Sequence, residues 1–185
     1  ESGIEVGAEI FHVMYEEPGL MEESGVMFGV YGNYVIHPNS FVITLDGRFS
    51  VGNVEYSSYQ GSDDIRDYIF ESRALFGYDF KVSARAYLTP FMGIGYRYLF
   101  DGLKEIETSA LLTYDRKSNY IYSPIGLECT FGLRNGWSLG ASGEYDLFWH
   151  GWQFNENFRY HGIDLSDDYK VENNQENGWG TRGSV

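Results

Sequence analysis

Glu144, Asp146 and His150 follow one another in the segment "WSLGASGEYDLFWHG" (137–151). The period of a β-strand would put all three on one face. A histidine held by a carboxylate can act as a general base, and with a nearby serine it could serve acyl transfer or hydrolysis at the rim of a sheet. The plainer reading is a hydrogen-bonded rim histidine, and it is preferred, because the chain has no Gly-x-Ser-x-Gly elbow to supply a nucleophile. His12, His37 and His161 are scattered without metal-ligand spacing. "DLSDD" (164–168) offers carboxylates for Ca²⁺, but it lacks the glycine and the alternation of a calcium loop and reads as a solvated acidic loop. The chain is therefore read as non-enzymatic, with no catalytic residue, no metal and no cofactor.

The informative charges lie inside strand-like runs. In "SFVITLDGRFSVG" (40–52), Phe41, Ile43, Leu45, Phe49 and Val51 share one face, and Thr44, Asp46, Arg48 and Ser50 share the other. A water-soluble barrel would bury the apolar face; a membrane barrel would turn it outward to lipid. Function depends on which of the two holds.

Composition narrows the choice. The 185 residues suffice for one domain with a real interior, read here as a single barrel domain over 1–185. Net charge is -14, which argues against a nucleic-acid partner, since phosphate binding needs a basic surface. No apolar run is long enough for a transmembrane helix, but barrel strands hide their hydrophobicity by alternation. Glu1 opens the chain without a signal-peptide pattern, as in a mature chain after signal removal. Cys129 stands alone and has no internal disulfide partner.

Eight strands are predicted, at roughly 3–15, 25–36, 41–56, 65–80, 85–99, 119–133, 137–152 and 176–185. Their length exceeds the usual soluble strand and is ample to cross a bilayer at a tilt. Connections alternate between short ("HPNS" 37–40, "KVSA" 81–84, "RNG" 134–136) and longer and polar (16–24, 57–64, 100–118, 153–175). Short turns at one end and long loops at the other is the layout of an outer-membrane barrel.

Sorting by parity puts Glu9, Asp46, Arg48, Glu71, Arg73, Arg97, Glu128, Glu144, Asp146 and Arg182 on the face opposite the apolar residues. That face also carries Gly7, Gly29, Gly52, Gly93, Gly95, Gly126, Gly140 and Gly180. Glycine weakens a solvated strand but makes room in a narrow lumen. The apolar face is banded: Tyr34, Phe41, Tyr78 and Trp137 lie near the short turns, Tyr68, Tyr96, Tyr145 and Trp149 near the long loops, with aliphatic residues between. Two aromatic girdles around an aliphatic belt suit two membrane interfaces. The fold expected is all-β: a closed eight-stranded antiparallel up-and-down transmembrane β-barrel, with short periplasmic turns, long extracellular loops and its first strand paired to its last. The charged residues should form a network that plugs the lumen, with Arg182 meeting Glu144 or Glu9. The alternative is a soluble calycin-like barrel binding an apolar ligand inside.

With these features in place, "LTPFMGIGYRYLFD" (88–101), "YDRKSNYIYSPIGLE" (114–128) and "WSLGASGEYDLFWHG" (137–151) resemble stretches of small bacterial outer-membrane barrels of the OmpA, OmpX and opacity-protein type. The resemblance implies a Gram-negative outer membrane as location and outer-membrane lipid as a partner. It does not imply one activity, since members include adhesins, structural anchors and enzymes; the role expected here is structural or adhesin-like, with a host or cell-surface protein bound through the loops. Such barrels end on an aromatic residue; here the chain stops at "RGSV", so strand eight is expected to run on past Val185. "FWHGWQFNENFRY" (148–160) continues beyond the expected membrane boundary, and Trp152, Phe154, Phe158 and Tyr160 are candidate surface aromatics for a partner, unless they stack on a neighbouring loop.

Overall fold

The computed structural model describes residues 2–17, 21–58, 61–103, 112–160, 163–165 and 170–185. Alternation of apolar and polar residues yields long antiparallel strands: β1 (Gly3–Glu17), β2 (Met21–Ile36), β3 (Phe41–Ser58), β4 (Gly61–Tyr78), the short β5 (Phe80–Lys81), β6 (Ala86–Asp101), β7 (Leu112–Gly132), β8 (Ser138–Tyr160), the short β9 (Ile163–Asp164), β10 (Val171–Gln175) and β11 (Trp179–Ser184). No α-helix occurs among the described residues. The sheet runs β1-β2-β3-β4-β6-β7-β8-β10, with β11 also on β8.

The three short turns sit where predicted. In 37–40 the Phe41 amide donates to the Pro38 carbonyl at 3.3 Å, and Asn39 takes a positive φ of 65°. Asn135 and Gly136 do the same in the 134–136 turn, closed by the Leu133 amide on the Trp137 carbonyl. Asparagine and glycine are the residues that tolerate this geometry. The third turn is closed by the Val82 amide on the Ala86 carbonyl.

At the other end the strands outrun the prediction. β1 and β2 together take up most of 16–24, and β3 and β4 most of 57–64. β7 begins at Leu112 and β8 reaches Tyr160, well into segments read as loop. Polar residues there conceal the alternation, because both faces of a ribbon above the membrane can be polar.

The expected pairing of first and last strands is not present: among the described residues β1 pairs only with β2, and β11 only with β8. The last strand is short and interrupted at 176–178, so it offers few residues against the fifteen of β1. The sheet is nevertheless strongly curled. Arg182 on β11 donates to Glu71 on β4 at 2.8 Å, although four strand-to-strand steps separate them. Laid flat, those steps would span roughly 19 Å.

Curling leaves the apolar face outside. Ile4 is 77% exposed, Phe28 59% and Trp149 61%, while the Glu71 carboxylate is 1% exposed. A soluble barrel with an apolar ligand cavity would show the reverse. Outward aromatics gather near the turns (Phe41 within 5.5 Å of Phe76 and 5.2 Å of Tyr78, ring to ring) and nearer the loops (Tyr68 within 5.7 Å of Phe100, Tyr145 stacked on Trp179 at 6.3 Å).

Candidate functional site: the charged interior

Register assembles the interior from residues remote in sequence. Asp46 on β3 lies opposite Arg73 on β4, and Arg48 opposite Glu71; Glu71 in turn lies opposite Arg97 on β6. Every one of these side chains has inward parity, so each pair meets inside the curl.

Glu71 is the centre. Its Oε1 accepts from Arg97 at 2.6 Å and from the Tyr122 hydroxyl; its Oε2 accepts from Arg182 at 2.8 Å and faces Arg48 Nε at 3.2 Å. Arg73 forms the second hub, donating to Asp46 at 2.9 Å and to Glu144 on β8 at 2.8 Å. Arg97 also reaches Asp146 at 3.4 Å and lies over the Tyr122 ring, 5.0 Å from its centroid. Arg48 approaches Glu9 at 3.5 Å, and Ser50 donates to Glu9 at 2.8 Å. Four guanidinium groups thus face five carboxylates, Glu9, Asp46, Glu71, Glu144 and Asp146. A buried ion pair is tolerable only with such multiple, well-placed donors.

Nine of the ten charges assigned to this face from sequence come together. Arg182 meets Glu71 first; Glu144 lies 3.8 Å away, and Glu9 is not its partner. Glu128 is the exception: it is exposed near the turn end and accepts from the Thr130 hydroxyl at 3.1 Å. Its parity is right, but its height puts it below the enclosed part of the curl. Tyr122 was missed; the signal for it is Gly95, its register partner, where a Cβ would stand 2.3 Å from the Tyr122 ring. The same filling of glycine space occurs at Gly7 by Tyr31, at Gly52 by Met27 and at Gly126 by Phe91, whereas Gly140 has room.

The candidate triad does not assemble. Ile121 pairs with His150 while the next residue, Tyr122, pairs with Phe148, so Trp149 is an extra bulged residue. Parity reverses there: Gly151 turns in toward Tyr120 and Phe148, and His150 packs edge-on against Trp152 at 4.8 Å, away from Glu144 and Asp146. Farther up, Asn157 adopts φ 56° and Phe158 points inward, 5% exposed, against Tyr114 at 5.2 Å. Phe158 is therefore not a surface aromatic. Trp152 and Phe154 are half-buried and Tyr160 is exposed. Glu156 on this ribbon bonds Lys117 and lies 3.3 Å from Lys170, and the Lys117 hydrogen bond holds its carboxyl below the usual value. Of "DLSDD", 166–168 fall outside the described residues, as does His161; Asp164 pairs with Arg159 at 3.0 Å.

A second polar group lies nearer the loops. Arg116 donates to Asp101 and to Glu23, each at 2.5 Å, beside the buried Asp67. Glu23, Asp101 and Arg116 fall in segments whose sequence reads as loop (16–24 and 100–118), where alternation assigns no face.

Set against known proteins, residues 17–149, well over half the chain, match the autotransporter β-domain, and no curated protein matches the sequence. The resemblance to outer-membrane barrels holds at that level, and it accords with the exposed apolar belt and the buried charges. The chain belongs to the autotransporter β-domain family, outer-membrane β-barrels that serve as translocators for a passenger domain.

Proposed function

We propose that this protein is a non-enzymatic outer-membrane barrel whose resting lumen is plugged by its own charges, and that it serves as a rigid anchor presenting the loop-end ribbon of β7 and β8 at the cell surface. The observation that carries this reading is Glu71, held at once by Arg48, Arg97 and Arg182 from three other strands. Such a cross-brace spans the interior from β3 to β11, and an eight-strand interior is narrow enough for side chains to fill. The same residues fix strand register. A passenger segment and this network would compete for the same space, so an engaged barrel has the arginine bridges opened.

Closure of the seam between β1 and β11 belongs to the same proposal. Hydrocarbon does not tolerate an open sheet edge, because each unpaired N–H and C=O would go unsatisfied. β1 and β11 run in opposite senses, as an antiparallel closure needs. The short turns then face the periplasm and the long ribbon faces outward, where Trp152, Phe154 and Tyr160 are available to a host or cell-surface protein.

Reconstitution in a planar bilayer tests the plug. The unmutated protein is expected to show no steady conductance, and the double variant Arg48→Ala/Arg73→Ala to show openings. A large steady conductance already present without mutation would rule the plug out.

A further inference from the structure

Above the network the interior becomes apolar, where Met27, Val54, Ile65 and Leu103 form a buried cluster. Beside it lie three carboxylates from three strands. Glu23, Asp67 and Asp101 are 5%, 7% and 3% exposed, and one oxygen from each lies within 4.8 Å of the others. Asp67 and Asp101 are direct register partners on β4 and β6, while Glu23 reaches in from β2. Arg116 is committed to Glu23 and Asp101. Asp67 is left over: its Oδ1 is buried and has no hydrogen-bond partner among the described residues. A carboxylate withdrawn from water without a donor is costly.

We propose that Glu23, Asp67 and Asp101 form a calcium site that pins β2, β4 and β6 together at the loop end of the barrel. Oxygens that surround Ca²⁺ at about 2.3–2.6 Å stand up to roughly 5 Å apart, a limit that the three carboxylates meet, and Ca²⁺ takes oxygen ligands of this kind in flexible geometry. The free Asp67 oxygen supplies the ligand that Arg116 does not occupy. Nothing in the sequence announces the site, because its residues come from separate strands and lack the spacing of a calcium loop.

The test uses the intact protein in detergent, stripped with EDTA and titrated with CaCl₂ by calorimetry, with thermal unfolding in parallel. Calcium is expected to bind and to raise Tm by about 5–10 °C at saturation. Asp67→Asn keeps the volume and removes one anionic ligand; it should weaken Ca²⁺ affinity at least about tenfold and leave the stripped protein as stable as before or more so. Glu23→Gln provides a second variant if the first does not fold. Absence of Ca²⁺ binding by the unmutated protein overturns the proposal, as does binding that survives undiminished in both variants.

Discussion

Arg73 shows how the interior turns a strand charge into a structural part. Its side chain is 10% exposed and faces Asp46 and Glu144 at once. Removing it leaves Asp46 enclosed without its cation and Glu144 with only Arg182, 3.8 Å away. Arg73→Ala should therefore destabilise the folded protein by about 3–5 kcal/mol, less where water enters the lumen. Denaturant unfolding in detergent measures this, and an unchanged midpoint would show that the pair is dispensable. Cys129 reports the opposite face. It is exposed on β7, next in outward parity to Leu127. In a membrane it faces lipid, so a charged thiol reagent should label the folded protein slowly and an apolar one readily; rapid labelling by the charged reagent would contradict that placement.

At the scale of the element, the inward glycines decide how closely neighbours approach. A Cβ on Gly93 would stand 2.2 Å from the Ala74 carbonyl oxygen, which is backbone and cannot step aside. Gly143, on the outward face of β8, has nothing within 4 Å. Gly93→Ala should cost about 1–3 kcal/mol by overpacking, whereas Gly143→Ala should be neutral or gain a few tenths of a kcal/mol, since alanine is the less flexible residue in a strand. Equal effects of the two would refute the assignment of faces. The bulge at Trp149 shows a second element-level effect: one extra residue exchanges inside for outside above it, which separates His150 from Glu144 and brings Phe158 into play only after a second irregularity at Asn157.

For the whole molecule, the exposed apolar belt predicts that extraction from the cell envelope needs detergent, and a protein released by salt or buffer alone would be incompatible with the lipid-facing assignment. The seam can be tested in the same preparation. In a Cys129→Ser background, single cysteines on β1 combined with single cysteines on β11 should cross-link for at least one pair if the barrel closes on itself, because cross-strand Cβ atoms stand about 4.5–5.5 Å apart. No cross-link for any pair would mean that other backbone covers the two edges.

Much of this was readable without coordinates. Alternation in runs such as 41–51 determined the strands and their two faces, and the banding of Phe41, Tyr78, Tyr68 and Trp149 determined which face meets lipid, because both are local properties of period two. The inward charges followed from the same count. What alternation cannot encode is height around a curled sheet or a change of parity. Only the tertiary structure decided that Glu71 rather than Glu144 is the first partner of Arg182, that Glu128 lies outside the enclosure, and that the bulge at Trp149 turns His150 away. Only it joined Glu23, Asp67 and Asp101, since those contacts depend on register summed over several strands and on curvature, neither of which leaves a mark in a single stretch of sequence.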